Sequence, residues 1–93
     1  MYKTERIQTL LSRIEEAINL IEKNSSHIKS AQDFLYSSDG MFTLSGICMQ
    51  LIFIGESAKV LDTKTEHGYL LKYPNIPWND IMGLRDIIAH EYH

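Results

Sequence analysis

Four residues near the C-terminus have side chains that exchange protons or hold charge: Arg85, Asp86, His90 and Tyr92. On an ideal helix at about 100° per residue, Arg85 and Tyr92 project within about 20° of each other, whereas His90 lies about 140° from Arg85 and directly above Asp86. Arg85, His90 and Tyr92 therefore do not share one face of a straight helix. They could converge if Arg85 reached across on its long side chain, if the helix ended near His90, or if two copies met across a two-fold axis. Asp86 and His90, four apart, form the geometrically natural pair. The carboxylate could hold the imidazole in one orientation and favour its protonated form. Plain structural readings stand beside these. A histidine near a helix C-terminus suits the helix dipole, Arg85 could pair with Asp86 or Glu91, and Tyr92 could simply pack. Elsewhere the sequence has no Gly-rich phosphate loop, no Cys-X-X-Cys, no paired-histidine metal helix and no Gly-X-Ser-X-Gly elbow. His27 and His67 are isolated and read as surface residues.

The elements that must position these groups are helical. Ile7, Leu10, Leu11, Ile14, Ala17, Ile18 and Ile21 recur at steps of three and four, which predicts a helix from about Tyr2 to Lys23. A short helix is expected from about Ser30 to Ser37, with Ser30 as its N-cap and Asp33 three residues on. Ser38-Asp39-Gly40 then reads as a break. Met41 to about Leu61 is apolar on more than one side, so it needs more than one packing partner, plausibly a second subunit. Gly46 and Gly55 within it suggest close helix approach. A further short helix is expected between Thr63 and Tyr73. Tyr73-Pro-Asn-Ile-Pro-Trp78 should run largely extended, because proline restricts both itself and the residue before it. One continuous helix is expected from Pro77 or Trp78 almost to the end.

Composition sets the frame for this reading. With 93 residues, 44% of them hydrophobic and 23% charged, the chain suits one globular domain, residues 1–93, at a size where a second copy helps stability. Cys48 is alone in a hydrophobic run, which fits a reducing cytoplasm, and Met1 to Arg13 lacks a secretory signal. The protein is expected to be cytoplasmic. The apolar run Ile47 to Ile54 is shorter than the about 20 residues that cross a bilayer. Net charge is −3, and from Pro74 onward Arg85 is the sole Lys or Arg, so any nucleic-acid surface must be assembled locally.

The run Ile54-Gly-Glu-Ser-Ala-Lys59, followed by Tyr73-Pro-Asn-Ile-Pro-Trp-Asn-Asp-Ile-Met-Gly-Leu-Arg-Asp-Ile-Ile-Ala-His-Glu-Tyr92, resembles the HepT-type toxins of the HEPN superfamily. Its most specific element is Arg-(four residues)-His-X-Tyr, preceded by the Tyr-Pro-X-Ile-Pro-Trp turn. The resemblance implies an all-α, four- to five-helix HEPN-type bundle, a homodimer formed through the helices that carry the C-terminal motif, with two motifs facing one cleft. In such a cleft RNA would be cut without a metal or cofactor. His90 would serve as general acid or base in attack of the ribose 2′-hydroxyl, Arg85 would stabilise charge on the phosphate, and Asp86 would orient them. RNA is implied because only RNA carries that hydroxyl.

The resemblance further implies a partner. HepT-like toxins pair with a minimal nucleotidyltransferase, the MntA-type antitoxin, which neutralises them by transferring AMP to the motif tyrosine, here Tyr92. Added phosphate charge and bulk beside His90 and Arg85 would repel an RNA phosphate. Family sequences usually continue past this tyrosine, whereas this one stops at His93. The competing reading is a non-catalytic HEPN interaction module that binds a minimal nucleotidyltransferase, favoured by the acidic balance after Pro74.

Overall fold

The three-and-four spacing of Ile7, Leu10, Ile14 and Ala17 winds into α1, Thr4–Ser25, with Leu10 and Ala17 buried. A computed structural model describes residues 4–91. The other helices are α2 (Gln32–Leu35), α3 (Ser38–Lys64), α4 (Trp78–Met82) and α5 (Leu84–Glu91), with a 3-10 turn at Leu70–Lys72. Among the described residues there is no strand, so the class is all-helical, as the period predicts.

The connections differ from the sequence expectations in three places, each for a local reason. At α2, Ala31 rather than Ser30 takes the N-cap position and makes no side-chain cap. Asp33 instead reaches back, its Oδ2 accepting from the backbone N–H of Lys29 at 2.7 Å and of Ser30 at 3.2 Å. Ser38-Asp39-Gly40 is the first turn of α3 and not a break. Ser37 is extended, and its hydroxyl accepts from the Gly40 N–H at 2.9 Å, a serine N-cap that satisfies an otherwise orphaned donor. After α3 the chain reverses, and the short helix expected between Thr63 and Tyr73 follows as the 3-10 turn Leu70–Lys72. Glu66 and His67 lie in the left-handed region, at φ 54° and 66°, where a right-handed helix cannot continue. Thr65, fully buried, closes that end, its Oγ1 donating to the Leu61 carbonyl at 2.8 Å and accepting from the Tyr69 N–H at 3.1 Å. Tyr73 to Trp78 is a closed turn rather than an extended run: the Trp78 indole N–H donates to the Tyr73 carbonyl at 3.0 Å.

The predicted single C-terminal helix is divided at Gly83. The Gly83 N–H is shared between the Asn79 and Asp80 carbonyls, at 3.1 and 3.2 Å, and its backbone, near φ −91°, ψ 4°, leaves helical geometry before Leu84 resumes it. α4 and α5 thus meet α3 as two short segments.

α3, 27 residues or about 40 Å long, packs against α1, α2, α4 and α5 and is the spine of the bundle. The core gathers at one end of it, where Leu10, Leu61 and Leu70 are buried and Ile7, Val60, Tyr69, Trp78 and Met82 pack around them. Gly55 is where α4 and α5 come closest. A Cβ placed there would lie 2.5 Å from the Ile81 carbonyl oxygen and 3.6 Å from the Leu84 Cβ, so only glycine admits this approach. Gly46, expected to mark a similar approach, has nothing within 4 Å.

Much of α3 remains uncovered. Its most apolar stretch has a mean hydropathy of 1.4, enough by length and composition to cross a membrane, and only 17% of it is buried. Phe42, Met49 and Phe53 are 81%, 50% and 53% exposed. The accessible surface is 6981 Å² for 10.8 kDa, where a compact monomer of that mass has about 5,500 Å². The radius of gyration is 15.0 Å, against about 12 Å for a compact chain of this length.

Gly55→Ala is expected to destabilise the fold by about 1–3 kcal/mol through overpacking against Ile81. Denaturant unfolding would show this as a lower midpoint with an unchanged slope.

Candidate functional site

α5 is amphipathic over its short length. Leu84 and Ile88 are half-buried, while Arg85, Asp86, Ile87, Ala89 and His90 are exposed. With Leu84 set against Gly55 of α3, the Leu84–Ile88 seam puts Arg85 about 100° to one side and His90 about 120° to the other. The helix thus holds its two main polar groups on opposite flanks of the packed face.

Arg85 is held across the bundle. Its Nε donates to Glu56 Oε1 at 2.8 Å, joining residues 29 positions apart on α5 and α3. Lys59 Nζ, one turn along α3 from Glu56, lies 3.9 Å from the same oxygen. This hydrogen bond from Arg85 is the main reason the Glu56 carboxyl titrates below the ordinary glutamate range; desolvation opposes it, and the Lys59 and Arg85 charges add to the lowering. Both partners face solvent, so the bond sets orientation more than it adds stability.

Arg85 pairs with Glu56 and not with its neighbour Asp86. Among the described residues no hydrogen bond or ion pair joins Asp86 to His90, although their spacing favours one. Within one copy Arg85 and His90 are not brought together. Tyr92 lies outside the described residues, and so does the role expected for it. His67 is exposed, as its isolation predicts, and its Nδ1 is 2.8 Å from Asp62 Oδ2. Among the described residues no three His, Cys, Asp or Glu side chains are grouped to hold a metal. A cavity of about 570 Å³ runs under the Tyr73–Trp78 turn, lined by Asp62, Leu70 and Trp78 among others, but Arg85 and His90 do not line it.

Glu56 is the partner of Arg85 that motif reading misses. It stands in the run that resembles HepT sequences, yet no chemistry is attached to that run. The available signal was its neighbour Gly55, a glycine inside a helix, which marks where another element comes close and brings Arg85 with it.

The sequence profile of the ribonuclease HepT-like family matches residues 14–93, which include α3, the reversal and the whole Arg85–His90 segment. The chain belongs to that family, within the HEPN superfamily. It is also 25% identical over 76 residues to the provisionally named RNase MJ1380 of Methanocaldococcus jannaschii. That match covers 80% of this chain and 66% of the relative, so the chain spans just under two thirds of the relative's length. No solved structure matches the chain significantly. The HepT-like assignment and the all-helical bundle agree.

The lowered Glu56 value fixes the sign of a pH effect. Because the folded-state value is depressed, the Arg85–Glu56 bond is intact above the ordinary glutamate range and is lost as pH falls through the depressed value. In a carboxyl-resolved NMR titration, Glu56 should titrate below an unperturbed glutamate in the wild type and move up in Arg85→Ala.

Proposed function

We propose that this chain is a HEPN endoribonuclease that works as a homodimer in the cytoplasm, the toxin half of a toxin–antitoxin pair. The observation that carries the reading is the exposed guanidinium of Arg85, held in a set orientation by Glu56. It stands on the same helix as an exposed His90 that it cannot meet within one copy. A second copy supplies the missing half. Phe42, Met49 and Phe53 fall within about 40° of one another on α3, all of them exposed, and Glu56 continues that face toward Arg85. Covering this stripe with its equivalent in a partner removes apolar surface from water and sets two Arg85–His90 segments near one axis.

In that cleft His90 of one copy takes the proton from a ribose 2′-hydroxyl, whose oxygen attacks the adjacent phosphorus. The bond to the 5′-oxygen breaks, and the leaving oxygen takes a proton from a histidinium. Arg85 donates hydrogen bonds to the phosphate oxygens as negative charge builds. Asp86 tunes the exposed face beside His90. The chemistry needs no metal or cofactor, and the 2′-hydroxyl makes RNA the substrate.

Regulation follows from the same chemistry. A minimal nucleotidyltransferase of the MntA type, acting as antitoxin, transfers AMP to Tyr92, and the added phosphate charge and bulk repel an RNA phosphate. A second reading draws on the charge around the motif. Glu56 already occupies one donor of Arg85, and Asp80 and Asp86 leave the C-terminal segment acidic, which suits a non-catalytic module docking a nucleotidyltransferase.

Two experiments test the proposal. Purified wild-type dimer should cut a single-stranded RNA oligonucleotide to a 2′,3′-cyclic phosphate end, and Arg85→Ala or His90→Ala should each slow this by on the order of 100-fold or more. Both variants should keep the wild-type circular dichroism spectrum and dimer mass; full cleavage by either rejects the mechanism. Incubation with a minimal nucleotidyltransferase of the MntA type and ATP should add the mass of one AMP per chain, absent in Tyr92→Phe.

A further inference from the structure

We infer that Glu56 is the positioning residue of the site: by taking the Nε–H of Arg85, it turns the two Nη nitrogens outward as the anion-binding edge. The anion seat is then shared between α3 and α5. This deepens the ribonuclease reading and rests on it.

The geometry is direct. A guanidinium is planar, with five N–H donors in a rigid fork, and bidentate contact to a phosphate uses two of them in parallel. Glu56 Oε1 meets Nε alone, at 2.8 Å, and among the described residues no Nη hydrogen bond is formed. The side left unoccupied is therefore a two-nitrogen edge suited to phosphate. Without Glu56 the long arginine side chain would sample many rotamers, and an 8-residue helix standing off Gly83 would do little to restrict them.

The backbone supports the same role. Gly55, next to Glu56, lets the Ile81 carbonyl come within 2.5 Å of where a Cβ would be. That contact sets how α5 leaves α4 and therefore where the Arg85 Cα stands relative to Glu56. The carboxylate does not cancel the site's charge either. Lys59 lies 3.9 Å from the same Oε1, so two cations flank the one Glu56 carboxylate.

The test uses the full-length dimer and a fluorescent single-stranded RNA oligonucleotide. It compares the wild type with Arg85→Ala, Glu56→Ala, Glu56→Gln, Glu56→Asp and the Glu56→Ala/Arg85→Ala double variant. Misplacing the guanidinium should lower kcat by on the order of 10- to 100-fold in Glu56→Ala and leave KM little changed. Glu56→Asp, too short to reach Nε, should behave like Glu56→Ala. Glu56→Gln retains a carbonyl acceptor and should recover part of the loss. The double variant should be no worse than Arg85→Ala. The Arg85 Nε–H resonance, resolved in ¹⁵N spectra of the wild type, should merge with the other arginines in Glu56→Ala. If Arg85→Ala is inactive while Glu56→Ala keeps full kcat and an unmoved Nε–H resonance, the positioning role is overturned and the ribonuclease reading stands. Should Glu56→Ala unfold, full kcat in Glu56→Asp overturns the role in the same way. Full cleavage by Arg85→Ala overturns the ribonuclease reading itself.

Discussion

The absence of a side chain at Gly55 lets the Ile81 carbonyl rest on α3, with Leu84 alongside. From that contact the rest of the C-terminal half takes its place. Leu84 and Ile88 face inward because Gly55 admits them, and Arg85 then projects toward the next residue of α3, Glu56. The closed turn at Tyr73–Trp78 and the reversal at Glu66–His67 deliver the chain to this contact. A methyl group at position 55 would push the Ile81 carbonyl off α3 and with it the start of α5, although it does not touch Arg85 or His90.

α3 carries a second constraint of a different kind. It is apolar around most of its circumference and serves as a spine for four other helices, which leave much of it uncovered. The surplus surface and the exposed Phe42, Met49 and Phe53 are the visible result. That stripe leads to Glu56, so the exposed apolar surface and the Arg85–Glu56 pair are continuous on α3.

Much of this was legible in the sequence. The 3.6-residue period located α1 and α3, and the ordered C-terminal motif, read by resemblance, led to the HepT-like family. What was not legible was set by contacts between residues distant in sequence or by backbone choices that composition does not mark. Glu66 and His67 adopt the left-handed conformation although Gly68, the residue that suggests a turn, does not. Gly83 carried a break signal, but the apolar pattern from Trp78 to Ile88 continues through it and masks the division into α4 and α5. The Arg85–Glu56 pair depends on a reversal between residues 29 apart, which no local spacing encodes. The Asp86–His90 pair, which local spacing does encode, is not formed.

The chain contains one tryptophan, Trp78, which packs against the Leu10–Leu61–Leu70 cluster while its indole N–H holds the Tyr73 carbonyl. That makes the protein its own optical probe. All of its indole emission originates at the clasp from which α4 departs, so colour and quenching report whether this clasp is shut rather than how helical the bundle is on average. A label-free fluorescence trace therefore follows the hinge side of the site, on the same stretch of chain that carries Arg85.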